Sequence, residues 1–313
     1  MRKHTIPTPY MVGDVHVYST EIHGELVLFD TGPNTPEAKD YLRRNLDLTR
    51  LKYVFVTHCH ADHYGLARYL AEQTAATIYL PQMDVKKFEH QATRFQGLQQ
   101  LLGDCGFNHN FITGFQAIVD QNQIIPALPD RYETIEQCSV LDDLGLSVMS
   151  CPGHSQSDLI FYNQSWAVTG DVLLRGIFQA PLLDLDLQTL SGRFSDYRAY
   201  CQSLREFERL RGLEILPSHR DYVDSLDDSI LFYTGKLVER ALRIQTLPAH
   251  WSVAEVLENL PGKTTDPFVA YLKASEILFM RDFLAQPELL LDSLNQLGLG
   301  EGVEQQLPQT FAC

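Results

Sequence analysis

The stretch Lys52-Tyr-Val-Phe-Val-Thr57, running directly into His58-Cys59-His60-Ala61-Asp62-His63, decides the architecture. A short apolar run rich in β-branched and aromatic residues reads as a strand. A strand that passes into a polar loop and then a helix places chemistry at its carboxyl end. Three imidazoles and a carboxylate within six residues are the donor set that suits zinc, iron or manganese. In a tight turn, alternate residues reach one cation while the next pair addresses a neighbour. The same alternation turns Cys59 away from the ligands and into packing.

Working outward, 15–22 and 25–29 read as strands of a hairpin around His23-Gly24. Thr35-Pro36-Glu37 caps a helix over 36–46. A helix follows the histidine cluster, and 77–81 is another strand. From Asp84, read as a cap, a helix with apolar residues at spacings of three and four extends to about Gly103. Residues 104–127 show no clear period, so 84–127 is expected to be an inserted helical and loop segment. Strands return at 146–151, 158–162 and 166–169, then a helix at about 195–211 and a strand at 213–216. Beyond Ser225 only helices are expected. One covers 227–245, one opens with the capping box Ser252-Val-Ala-Glu255, one starts at Asp266-Pro267 and runs to about Ala285, and a last short one ends near Gly298. The division is therefore a catalytic domain over 1–225 and a helical region over 226–313.

The chain has 313 residues, 44% apolar and 21% charged, which is globular composition for about two domains. Its net charge of −15 disfavours broad nucleic-acid binding, which depends on Lys and Arg displacing counterions. No apolar run is long enough for a bilayer span, and Met1–Tyr10 has no apolar core of a secretory signal. Cys59, Cys105, Cys138, Cys151, Cys201 and Cys313 form no CxxC pair, so reduced thiols and a cytoplasmic location are expected.

Further donors follow at strand ends: Asp30 in Phe29-Asp30-Thr31-Gly32, His154 in Pro152-Gly153-His154-Ser155, Asp171 after Thr169-Gly170, and His219 after Pro217-Ser218. In this order, with His58-x-His60-x-Asp62-His63, the motifs resemble the metallo-β-lactamase superfamily over about residues 12–225. The likeness is to its dinuclear hydrolases of the glyoxalase II and lactonase type. The resemblance implies an α/β fold, an αβ/βα sandwich with metals at the edge between two sheets. By position it implies that His58, His60 and His154 hold one metal. Asp62, His63 and His219 would hold a second, with Asp171 bridging both and Asp30 steadying a ligand imidazole from behind. Ser218 stands where glycine is common. Two divalent ions are expected, zinc first, with iron or manganese as alternatives; they would bring the formal charge nearer about −11.

Such a pair generates a metal-bridged hydroxide near neutral pH and polarises the substrate, with Asp62 orienting it or relaying a proton. The expected function is hydrolysis of an ester, thioester or lactone. A phosphodiesterase or nuclease of the same superfamily, a mononuclear iron dioxygenase of the persulfide type, and a non-catalytic metal-holding protein are the alternatives. His60 departs from the Glu of oxygen- and nitric-oxide-reducing di-iron relatives, and Asp171 from the Cys of classical β-lactamases. Tyr222 is displaced by one from the tyrosine of glyoxalase II, which puts a glutathione thioester in doubt. Arg175, Arg220 and Tyr222 are candidates for substrate contact, and Phe107, His109, Phe111 and Phe115 for an apolar lid. The partner expected is a small molecule with an apolar part; a homodimer is left open.

Overall fold

The computed structural model describes residues 1–122, 126–179 and 181–304. Cys313, residues 123–125 of the expected insertion and the end of the expected helical tail lie outside them.

Six strands form one sheet in sequential order: β1 (Arg2–Ile6), β2 (Val15–Ile22), β3 (Glu25–Phe29), β4 (Leu51–Phe55), β5 (Thr77–Leu80) and β6 (Glu133–Thr134). β1 to β3 pair antiparallel, and β3 to β6 run parallel. The second sheet holds β7 (Ser147–Ser150), β8 (Leu159–Tyr162), β9 (Trp166–Gly170) and β10 (Glu214–Pro217), in the order β10-β9-β8-β7. Only β9 and β10 are parallel there.

The side-chain period of two sorts each strand between two apolar layers. Val27, Phe29, Phe55 and Tyr79 of the first sheet meet Leu159, Phe161, Val168 and Leu216 of the second in one core between the sheets. Their neighbours Leu28, Val54 and Ile78 face the opposite way, into a layer shared with α1 (Pro36–Asn45), α2 (Ala61–Tyr64) and α3 (Ala67–Gln73). Ile160, Ala167 and Ile215 face outward into a third layer built largely by helices. This is the expected αβ/βα sandwich.

Two readings of the insertion change. The helix expected from Asp84 is two helices, α4 (Gln82–Glu89) and α5 (Gln91–Asp104), broken at His90 with φ −108° and ψ 25°. Asp84 is no cap: it lies in the first turn of α4, buried, and accepts a hydrogen bond from Cys59 N at 2.6 Å. Residues 109–122 form α6 (His109–Asn122), where the sequence shows no clear period. Its apolar side chains are divided between α5 and a C-terminal helix, which blurs a single stripe.

α7 (Val140–Asp143) precedes β7, and α8 (Asp196–Leu204) leads through a 3₁₀ segment, Arg205–Leu210, towards β10. Then come α9 (Leu226–Gln245), α10 (Val253–Asn259), α11 (Pro267–Ala285), α12 (Pro287–Gln296) and α13 (Glu301–Glu304). Ser252 and Glu255 make the capping box, and Asp266 caps α11 through Phe268 N and Val269 N. α9 to α12 contribute Leu237, Val256, Phe279 and Leu290 to the layer outside the second sheet, together with Leu204 of α8. Among the described residues no helix is long and apolar enough to cross a membrane.

Candidate metal centre

The chain turns sharply after β4. Thr57 N and the Thr57 hydroxyl both donate to Asp30, which sits after β3 at φ 60°, a costly conformation for a non-glycine residue. Main-chain bonds on either side hold it there, Asp30 N to Phe55 O and Thr31 N to His63 O. The turn then feeds α2, so that Asp62 and His63 leave from a helical start while His58 and His60 leave from extended chain.

Immediately beyond, Gly65 is packed against main chain. A β-carbon there would lie 2.4 Å from Asn34 N, 2.5 Å from Ala61 O and 2.7 Å from Gly32 O. None of these atoms can swing aside. Gly65→Ala is therefore expected to cost about 3 kcal/mol, at the upper end for overpacking, read from urea unfolding of the metal-free protein.

All seven expected ligands converge. His58, His60 and His154 form one donor group, Asp62, His63 and His219 another, and His58, His63 and Asp171 a third that links them. His60 Nδ1 lies 2.9 Å from His58 Nε2 and 3.1 Å from His154 Nε2, near the spacing of about 3.3 Å between nitrogens on one tetrahedral cation. Asp171 Oδ1 is 3.5 Å from both His63 Nε2 and His219 Nε2, and its Oδ2 is 3.7 Å from His154 Nε2. His63 Nε2, His219 Nε2 and Asp171 Oδ1 are buried without a hydrogen-bond partner. Buried polar atoms that face one another unpaired are costly, and a cation satisfies all three. The residues fit a metal pair.

Outer partners set which imidazole nitrogen faces inward. His63 Nδ1 donates to Asp30 Oδ2 at 2.9 Å, and His219 Nδ1 donates to Asp14 O at 2.7 Å. His58 Nδ1 lies 3.1 Å from the Thr57 hydroxyl, which itself donates to Asp30. Ser218, in the usual glycine position, directs its hydroxyl to Asp30 Oδ2 at 3.4 Å. Asp30→Ala is expected to weaken metal binding at the His63 side by about 10- to 100-fold, the usual cost of losing such a partner. Competition with a chromophoric chelator measures it.

The two halves differ electrostatically. Burial holds His58 and His60 well below the usual histidine range, and neighbouring imidazoles lower them further. Burial also opposes charge on His63 and His219, but Asp62 and Asp171 overcome it and raise both. Against the same burial, His63 and His219 lower Asp62 and Asp171. His58 and His60 thus offer neutral imidazoles, while the other half balances imidazolium against carboxylate.

Several neighbours escape a reading of the sequence. Asp158, four residues after His154, accepts from Ser155 N and the Ser155 hydroxyl and so shapes the His154 turn; burial raises its carboxyl to about 6. Gln156 clamps the segment after β9 through Leu185 O and Leu187 N. Tyr10, before β2, has its phenol raised by burial and by the charge of Asp62. Only the aspartate and glutamine carry a local signal, their place beside His154.

The other candidates are more scattered. Arg175 is half exposed and paired with Asp224 at 2.7 Å. Arg220 is exposed at φ 64°, its carbonyl accepting from His16 Nε2. The Tyr222 ring is exposed beneath the Lys3 ammonium. Phe107 stacks on Phe111, and both pack on the helical layer. His109 is exposed on α6. Phe115 is a core residue whose ring lies tilted against Tyr271, which corrects its reading as part of a lid. Cys59 is buried in the layer outside the first sheet. The five described cysteines are free thiols.

Residues 11–219 match the family model of the metallo-beta-lactamase superfamily. The chain belongs to that superfamily. It is 29% identical over 242 residues to the probable metallo-hydrolase YqjP of Bacillus subtilis (strain 168), covering 71% of this chain and 72% of that one. Two solved structures share the fold. A beta-lactamase domain protein from Burkholderia ambifaria superposes with a TM-score of 0.74 at 18% identity, over 91% of this chain and 86% of the other. A metallo-beta-lactamase family protein from Thermus thermophilus gives 0.71 at 19%, over 92% and 93%.

Proposed function

We propose that this chain is a metal-dependent hydrolase of ester, thioester or lactone bonds, of the glyoxalase II and lactonase kind, with two divalent cations, zinc first. One observation carries the reading: two donor groups meet on Asp171, whose two oxygens face different halves. In this reading His58, His60 and His154 would hold one cation, Asp62, His63 and His219 the other, and Asp171 would serve both. When bound, the cations supply Lewis acidity, lowering the pKa of a water and polarising the scissile carbonyl.

The chain's own groups do the rest. Asp30 and Asp14 O keep the ring protons of His63 and His219 on Nδ1, leaving each Nε2 for ligation. Asp62, held ionised, accepts a proton at its carboxylate and so orients the attacking water or passes that proton to the leaving group. The apolar part of a substrate finds Met11 and Val12 exposed on the β1–β2 loop, the loop whose Asp14 carbonyl steadies His219. Residues 1–225 serve as the catalytic domain in this reading, with the remaining helices as its extension. The partner is a small molecule in the cytoplasm, rather than a nucleic acid or a membrane.

A panel of esters, thioesters, lactones and phosphodiesters, assayed with zinc-, manganese- and iron-loaded protein, tests this. Turnover of an acyl substrate, lost on chelation, is the expected result. Turnover confined to phosphodiesters moves the chain to the nuclease alternative. One iron per chain with oxygen consumption sinks the hydrolase reading.

A further inference from the structure

We infer that Asp84 and Lys87, on α4, are positioning residues for the His58–His60 half of the metal centre, bracing the ligand turn from behind. The inference rests on the metal-centre reading above. It starts from a buried ion pair that the fold alone does not require. Asp84 is 1% exposed and Lys87 8%, and they pair one turn apart on α4. Buried charges are costly unless paired and hydrogen-bonded, and this pair does not join two elements of the core through its charges. What it reaches is Cys59: Asp84 Oδ2 accepts from Cys59 N at 2.6 Å, and its carboxylate also bears on the Cys59 thiol.

Cys59 stands between two ligands. Its side chain is buried in the layer outside the first sheet, the direction opposite to His58 and His60. Holding its N–H therefore fixes the His58–Cys59 peptide, next to His58 and one peptide before His60. The chain has left β4 by this point, so no ladder bond defines its path. A carboxylate makes a shorter, stronger bond to an N–H than a neutral acceptor does, and the Lys87 ammonium, paired with it one turn on, holds its side chain in place. The Lys87 ammonium is also near enough for its charge to bear on the His60 imidazole. Asp30 steadies His63 from one side of the turn; Asp84 steadies the His58–His60 side from the other.

Two double variants separate the brace from mere burial of charge. Asp84→Asn with Lys87→Met removes both charges and keeps a side-chain acceptor for Cys59 N. Asp84→Leu with Lys87→Met removes the acceptor as well. Binding of each of two zinc equivalents is measured by chelator competition, with the visible absorption of the cobalt-loaded protein as a readout of ligand geometry. The leucine variant is expected to lose about 10- to 100-fold in affinity for one equivalent with an altered cobalt spectrum, and the asparagine variant less than about threefold. A loss below threefold in the leucine variant, or an equal loss in both, overturns the brace while the metal-centre reading stands. If the wild-type chain binds fewer than two equivalents, the metal-centre reading fails and the brace with it. Should the leucine variant not fold, Asp84→Glu with Lys87 intact displaces the acceptor by one methylene. A threefold or greater loss for one equivalent then supports the brace, and a smaller one overturns it.

Discussion

Asp171→Ala is expected to lower the rate of hydrolysis about a thousandfold and to leave fewer than two cations per chain. Among the described residues, Asp171 is the carboxylate that lies within 3.7 Å of imidazoles from both halves, His63 and His219 through Oδ1 and His154 through Oδ2. Without it, the group that links the two halves loses its carboxylate, and only Asp62 remains as a carboxylate facing His63 Nε2 and His219 Nε2. Lewis-acid stabilisation is worth several kcal/mol. At about 1.4 kcal/mol per factor of ten, losing about 4 kcal/mol of it gives the expected rate. The measurement pairs the acyl substrate found in the panel with metal content by elemental analysis. A variant that keeps two cations and more than a tenth of the rate would remove Asp171 from the centre.

Removing the metals is expected to lower the melting temperature by roughly 10 °C near pH 7.5. A cation present at a thousandfold over its dissociation constant stabilises the folded state by about 4 kcal/mol. For a chain of this size each kcal/mol moves the melting point by about 2–4 °C. The pH dependence has a defined sign. His63 and His219 are raised above 6.5 in the metal-free fold, so their support is full below 6.5 and is lost as pH rises through their folded values. Asp62 and Asp171 are lowered below 3.8, so their support is present above 3.8 and is lost as pH falls through their folded values. His58 and His60, held well below 6.5, act in the opposite sense and lose support as pH falls below 6.5, so the metal-free protein is best supported near about pH 6.5. Cations must displace the imidazolium protons, so the gap between loaded and chelated protein widens towards alkaline pH and closes towards about pH 5. Parallel melting curves across that range, with and without chelator, check both magnitude and sign.

β2 to β5, β7 to β10 and the converging donors are readable in sequence because each depends on local pattern: short apolar runs such as 25–29, and donors spaced one and two apart from His58 to His63. β1 and the two-residue β6 carry no such run. What the sequence hides depends on contacts between distant residues. Asp84 looks like a cap in sequence, and its true partner is a peptide 25 residues earlier. α6 divides its apolar side chains between two neighbours, so no single face stands out. Gly65 carries no motif of its own, yet three main-chain atoms leave it no room for a β-carbon. Tyr10 lies in a loop ahead of every motif and reaches Asp62 only through the fold.

The bond from His219 Nδ1 to Asp14 O joins positions 205 residues apart. On the ribosome, the hexapeptide from His58 to His63 emerges well before His154, Asp171 and His219 have been translated. The nascent chain therefore displays a strong chelating sequence while its cage is unfinished. Any ion it captures then must complete its coordination with water or with donors from other molecules. The last histidine can join only when the newest strand reaches back to the oldest loop.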